Sequence, residues 1–207
     1  MIRTAQLRRA WLAGLFTSLL LASCPLAAQA PARELLNSER IENNFGSYGI
    51  SVLQSDGDVR VSKLYSVHDG NQICRTFAVV FYPMRPSPAL AEEHALIAAG
   101  QSIGATFTDR GWQVVKTHRY FGSLAGTAGL RNLMGHIGPI DLAVHVYGLS
   151  VVKDGQEYDY VRIAEVHHPE YLQLKDLHEI YGSGMDLPTP LDESLEETLA
   201  LVRARMP

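Results

Sequence analysis

YGISVLQSDGDVRVSKLYSVHDGNQICRTFAVVFY, residues 48–82, holds three apolar or β-branched runs separated by Asp56-Gly57 and Asp69-Gly70. Glycine reaches positive φ at no steric cost and aspartate tolerates it, so an Asp-Gly pair between such runs is the strongest short-range hairpin signal. The segment is expected to form a meander, with strands at about 48–54, 59–67 and 72–82. In the third, Ile73, Phe77, Val79 and Phe81 share one face, and Cys74, Ala78, Val80 and Tyr82 the other. Apolar side chains on both faces predict a central strand covered on both sides.

Working outward, Pro83, Pro86 and Pro88 close the meander. Residues 89–110 read as one helix, with Leu96, Ala99, Ile103 and Phe107 at helical spacing on the sheet side. Residues 112–121 form a fourth strand, and 140–152 with 157–166 a last hairpin turning at Asp154-Gly155. His168 is expected to cap a helix from Pro169 to about Tyr181, ended by Gly182. Asp192 would cap a terminal helix to Arg205, with Arg203 and Arg205 in its last turn, where the helix dipole favours cations. Residues 31–38 read as a tether or short first turn. Residues 122–139, with five glycines, read as a long connection or ligand-covering loop. The fold class is α+β: a largely antiparallel sheet of five or six strands, packed by one central helix and two C-terminal helices.

The N-terminus carries a different signal. Arg3, Arg8 and Arg9 precede the apolar run Trp11–Ala22, which is too short to span a bilayer core of about 30 Å. Residues 1–30 are therefore expected to be a secretory signal, and 31–207 a single globular domain. Ala28-Gln29-Ala30 offers a small-x-small cleavage site and release to the periplasm. Leu21-Ala22-Ser23-Cys24 resembles a lipobox, which would lipidate Cys24 and anchor the protein to the membrane. Either way Cys74 is left as the single thiol, in an apolar run where a buried small hydrophobe is the expected role. The leader holds three arginines and no acids, so its removal takes the net charge from −4 to −7. An acidic domain argues against nucleic acid as a partner and leaves a Cys24 lipid as the one expected membrane contact. An envelope protein or a small molecule is the expected partner.

Three motifs could carry chemistry. Gly100-Gln101-Ser102-Ile103-Gly104 fits G-x-S-x-G, the strand-to-helix elbow that exposes a nucleophilic serine. Asp141 or Asp159 and then His167 or His168 follow in hydrolase order. The preceding segment, however, reads as helix and not strand, so Ser102 is expected on a close-packed helix face. His145, His167, His168 and His178 lie near Glu165, Glu170 and Asp176, a donor set suited to zinc or a similar ion. A regular hairpin through Asp154-Gly155 pairs His145 with Ala164, which sends His145 and His167 to opposite faces unless a bulge intervenes. The same register gathers Tyr147, Leu149, Tyr158, Tyr160 and Arg162 on one side, with Tyr147 opposite Arg162 and Leu149 opposite Tyr160. Tyr and Arg commonly anchor binding surfaces, and Arg131 in the glycine-rich connection could join them. No motif calls for a cofactor. The sequence thus reads as an exported cell-envelope protein and a non-enzymatic ligand- or partner-binding domain, with a Ser102 hydrolase and a metal-binding protein as alternatives.

Overall fold

Six antiparallel strands form one sheet: β1 (Gly49–Asp56), β2 (Val59–His68), β3 (Asn71–Phe81), β4 (Gln113–Ala125), β5 (Asp141–Lys153) and β6 (Gln156–His167). Their spatial order is β1-β2-β3-β6-β5-β4, so the first meander and the last hairpin meet along β3 and β6. The computed structural model describes residues 34–182 and 193–207. The expected signal segment, both candidate processing sites with Cys24, and the expected Asp192 cap lie outside the described residues. Among the described residues no helix is long and apolar enough to cross a membrane.

Two of the three expected Asp-Gly reversals are two-residue loops of those residues, whereas Asp56 still belongs to β1 and pairs with Val59, so that Gly57 and Asp58 make the first reversal. Asp69 and Gly70 join His68 to its partner Asn71, with φ of 50° and 78°. Asp154 and Gly155 join Lys153 to Gln156 with φ of 53° and 77°. Two successive positive φ values give the turn whose twist matches that of the strands it connects.

Both sheet faces are covered, as the doubly apolar β3 requires. One face packs Val61, Phe77, Val79, Val144, Val146 and Val166 beneath α4 (Ala128–Leu133) and α6 (Glu193–Arg205). The other lies beneath α1 (Asn37–Phe45), α2 (Ala91–Ala98), α3 (Ile103–Asp109) and α5 (Leu174–Tyr181). Glu193 and Glu196 open α6 and Arg203 and Arg205 close it, complementing its dipole.

Several elements differ from expectation. The helix expected at 89–110 is a short 3-10 turn (Pro88–Leu90) followed by α2 and α3. It breaks at Gly100, whose φ of 109° no helix permits. The glycine-rich 122–139 connection contains the end of β4 and all of α4; Leu130 and Met134 there are fully buried in the core, so this is no open loop. His168 does not start a helix: its Nδ1 accepts the Glu170 amide in a turn, and α5 begins at Leu174 under a Gln173/Asp176 capping box. Residues 31–38 gave no hint of the full length of α1.

Cys74 is fully buried in the same core as Phe77 and Val79, and not on the face of Ala78 and Val80 as strict alternation suggested, because the pairing with β2 skips Arg75; burial pushes its thiol up to about 12. The thiolate is the reactive form, so Cys74 holds about a thousandfold less of it than an ordinary cysteine. The native protein is expected to resist a thiol-reactive disulfide reagent at pH 8 and to react with one equivalent after unfolding. Fast labelling of the native state would mean that this core is not closed.

Candidate functional site

A row of polar side chains crosses the helix-covered face carrying α1, α2, α3 and α5, where three central strands and the edge strand β4 should present apolar groups. Thr76 on β3 stands opposite His167 on β6, and Glu165 on β6 opposite His145 on β5. His118 on β4 completes the row, its Nδ1 2.9 Å from His145 Nε2 with the two rings stacked. His145, Glu165 and His167 are 1%, 6% and 1% exposed.

A single bulge creates this juxtaposition. Pairing in the last hairpin runs regularly from Lys153↔Gln156 to Ser150↔Asp159 and resumes at Leu149↔Val161, leaving Tyr160 as an extra residue. His145 therefore meets Glu165 and not Ala164, which corrects the regular-register expectation and brings His145 and His167 to the same face. The same residue removes Arg162 from the expected aromatic face, while Tyr147, Leu149, Tyr158 and Tyr160 stay together. Tyr147 pairs with Ile163 and not Arg162, and Leu149 with Val161 and not Tyr160. Tyr147 and Tyr160 are buried, with Tyr158 packed against them. Arg162 turns to the opposite face and donates to the Ser194 carbonyl and Thr198 Oγ1 of α6.

The row is held from several sides. Asn37, at the start of α1, donates from Nδ2 to Glu165 Oε1 at 2.9 Å and to Thr76 Oγ1 at 3.2 Å. The Tyr171 hydroxyl donates to Asn37 Oδ1. Thr76 Oγ1 lies 3.1 Å from His167 Nδ1. Tyr181 of α5 packs on both His118 and His145. Two ring nitrogens remain over: His145 Nδ1 and His167 Nε2 are buried with no hydrogen-bond partner. A buried polar atom left unpaired costs about 1–3 kcal/mol. Few native groups carry that cost, and they cluster where function requires them. Burial, with Lys116 and Arg40 adding positive potential, pushes His167 down to about 3. Burial also holds His145 well below its ordinary range, with His167, His118 and Lys116 contributing. Both imidazoles are thus neutral, the form that accepts a cation or a proton donor.

Beside the row lies a small, mostly apolar cavity of about 60 Å³ lined by residues that include Leu64, Val80, Tyr147 and Ile163. Its polar wall includes Asn37, Arg60, Ser62, Ser102, Lys116 and Glu165. The volume holds about four water-sized groups. Ser102 stands here at the N-terminus of α3. The element before it is α2, as the sequence suggested, and no strand leads into it.

Other candidates are placed elsewhere. His168 is occupied on both nitrogens, by the Met134 carbonyl and the Glu170 amide. Glu170 pairs with Arg75. His178 packs edge-on to Phe121 with its Nδ1 unpartnered. Tyr158, Tyr160, Asp159 and Arg162 line a separate groove, and Arg131 and Asp141 a third. Sequence reasoning missed Asn37, Thr76, Lys116 and His118. The readable signal for Thr76 was a polar pair, Arg75-Thr76, inside an otherwise apolar central strand. No family model matches the chain, and no curated protein sequence matches it.

Proposed function

We propose that this chain is an exported cell-envelope protein, periplasmic or anchored through Cys24, and a non-enzymatic domain that binds a small ligand in the cavity beside the histidine–glutamate row. The observation that carries the reading is a line of polar groups with two buried ring nitrogens unpaired, alongside a mostly apolar cavity. Polar groups converging on an apolar hollow are what a small-molecule site needs: apolar walls supply affinity and a few fixed donors and acceptors supply orientation. The cavity's size fits an ion or a molecule of a few heavy atoms. Of the binding residues expected from sequence, Tyr147 belongs to this site. Tyr158 and Arg162 line one other groove and Arg131 another, and would serve partner contacts there, whereas Tyr160 is held in the core.

The Ser102 hydrolase is the second reading, because Ser102 lines the same cavity. One experiment separates the two. The untagged protein, purified from the periplasmic or membrane fraction of a producing bacterium, is examined by native mass spectrometry and with a fluorophosphonate probe. The binding reading predicts a retained small adduct and no probe labelling. Labelling that disappears in Ser102→Ala would replace it with the hydrolase. Absence of both adduct and label would leave the binding reading without support and end it. The intact mass also reports whether the chain begins at Pro31 or at an acylated Cys24.

A further inference from the structure

We propose that His145, Glu165 and His167 form a binding site for one divalent transition-metal ion of the zinc class, with an open coordination position toward the cavity. The inference rests on the binding reading above and names the chemistry at its centre. One donor atom from each of the three residues lies within 4.8 Å of the others. Tetrahedral ligation at 2.0–2.1 Å needs donors roughly 3.4 Å apart, so rotation of the side chains by about an ångström and a half closes the set.

Three observations favour a metal over a structural polar cluster. First, the unpartnered nitrogens, His145 Nδ1 and His167 Nε2, belong to two of these residues. Second, each residue is held by an outer partner: His145 Nε2 faces His118 Nδ1, His167 Nδ1 faces Thr76 Oγ1, and Glu165 Oε1 accepts from Asn37. Metal-binding histidines are held in this way, one nitrogen on the ion and the other fixed by an outer partner that sets tautomer and ring orientation. Third, two imidazoles and one carboxylate are the donor set of open sites, which keep one or more positions for water or a ligand. Glu165 itself lines the cavity, so the open position looks into it. Lys116 and Arg40 place positive charge near His167. That charge opposes a bare cation and favours an anion, such as hydroxide or a small carboxylate, as the remaining ligand.

The test uses the untagged full-length gene product as the host processes it, stripped with a chelator and dialysed. Titration with Zn²⁺ and with Co²⁺ should show one equivalent bound. The cobalt form should develop the intense visible bands of a four- or five-coordinate centre, and Zn²⁺ should raise the melting temperature of the wild type. His145→Ala, His167→Gln and Glu165→Gln should each weaken Zn²⁺ binding by more than about 100-fold, and the outer-partner change Thr76→Val by about 10–100-fold. His68→Ala, an exposed histidine, should change nothing. Failure of the wild type to bind, or binding that survives all three ligand changes, overturns the site. The wild-type titration and melting shift decide the matter even if a variant fails to fold. A protein that retains an organic adduct but takes up no ion would sink the metal inference while leaving the binding reading standing.

Discussion

Arg60→Met is expected to destabilise the protein by about 3 kcal/mol, measured as a fall in the urea midpoint at unchanged slope. Arg60 rises from β2 into the floor of the cavity and is 3% exposed. Its guanidinium donates to the carbonyls of Ile97, Gly100 and Gln101 and to Ser62 Oγ. Those carbonyls lie where α2 ends and Gly100 turns the chain toward α3. Helix C-terminal carbonyls have no partners within the helix and carry partial negative charge, so a buried cation there satisfies and stabilises them. Methionine retains much of the packing volume but leaves three carbonyls and a hydroxyl without the donor. Arg60→Lys should recover less than half of the loss, because one ammonium cannot reproduce a planar fork reaching four acceptors. A loss under about 1 kcal/mol for the methionine variant would mean that water replaces the guanidinium, and that the α2–α3 break is not held from below.

The fold was readable from short-range signals; the site was not. Reversals, strand periods and the covered central strand follow from local sterics and from alternation of apolar residues, and these gave an antiparallel α+β sheet. The helix break at Gly100 was visible only as a glycine, because intrinsic propensity does not say whether a glycine interrupts or merely weakens a helix. The functional row depends on something less local. One extra residue, Tyr160, decides whether His145 faces Glu165 or Ala164. Nothing in the spelling of residues 156–167 requires a bulge at that point. Its reason lies in packing: Tyr160 and Val161 both enter the core under α2 and α3, where Tyr160 touches Tyr82, His94 and Phe107. The register of the histidines is thus set by an aromatic cluster that forms only when helices on the same face have docked. Pattern reading correctly tied the pairing of His145 with His167 to a bulge, and could not supply it.

That dependence gives the second large expectation. Phe107→Ala should cost about 3–5 kcal/mol in the same urea experiment, the range for removing a buried phenyl ring. Phe107 is fully buried on α3, with its ring edge-on to Tyr160 at 4.9 Å and to Trp112 at 5.9 Å. Its loss opens a cavity directly against the bulge residue and removes the apolar anchor that keeps α3 on the sheet. Arg60 anchors the preceding turn from β2, so the two residues fasten one helical pair at two points. Once either is lost, the pair can lift and the other no longer contributes fully. The double variant should therefore lose less than the two single losses combined, by at least about 0.5 kcal/mol, the scale of coupling between groups that share an element. Strict additivity would show that α2 and α3 stay seated when either anchor is removed. In that case the bulge, and with it the alignment of His145 with Glu165 and His167, would be fixed by β5 and β6 alone, with no help from the helices above them.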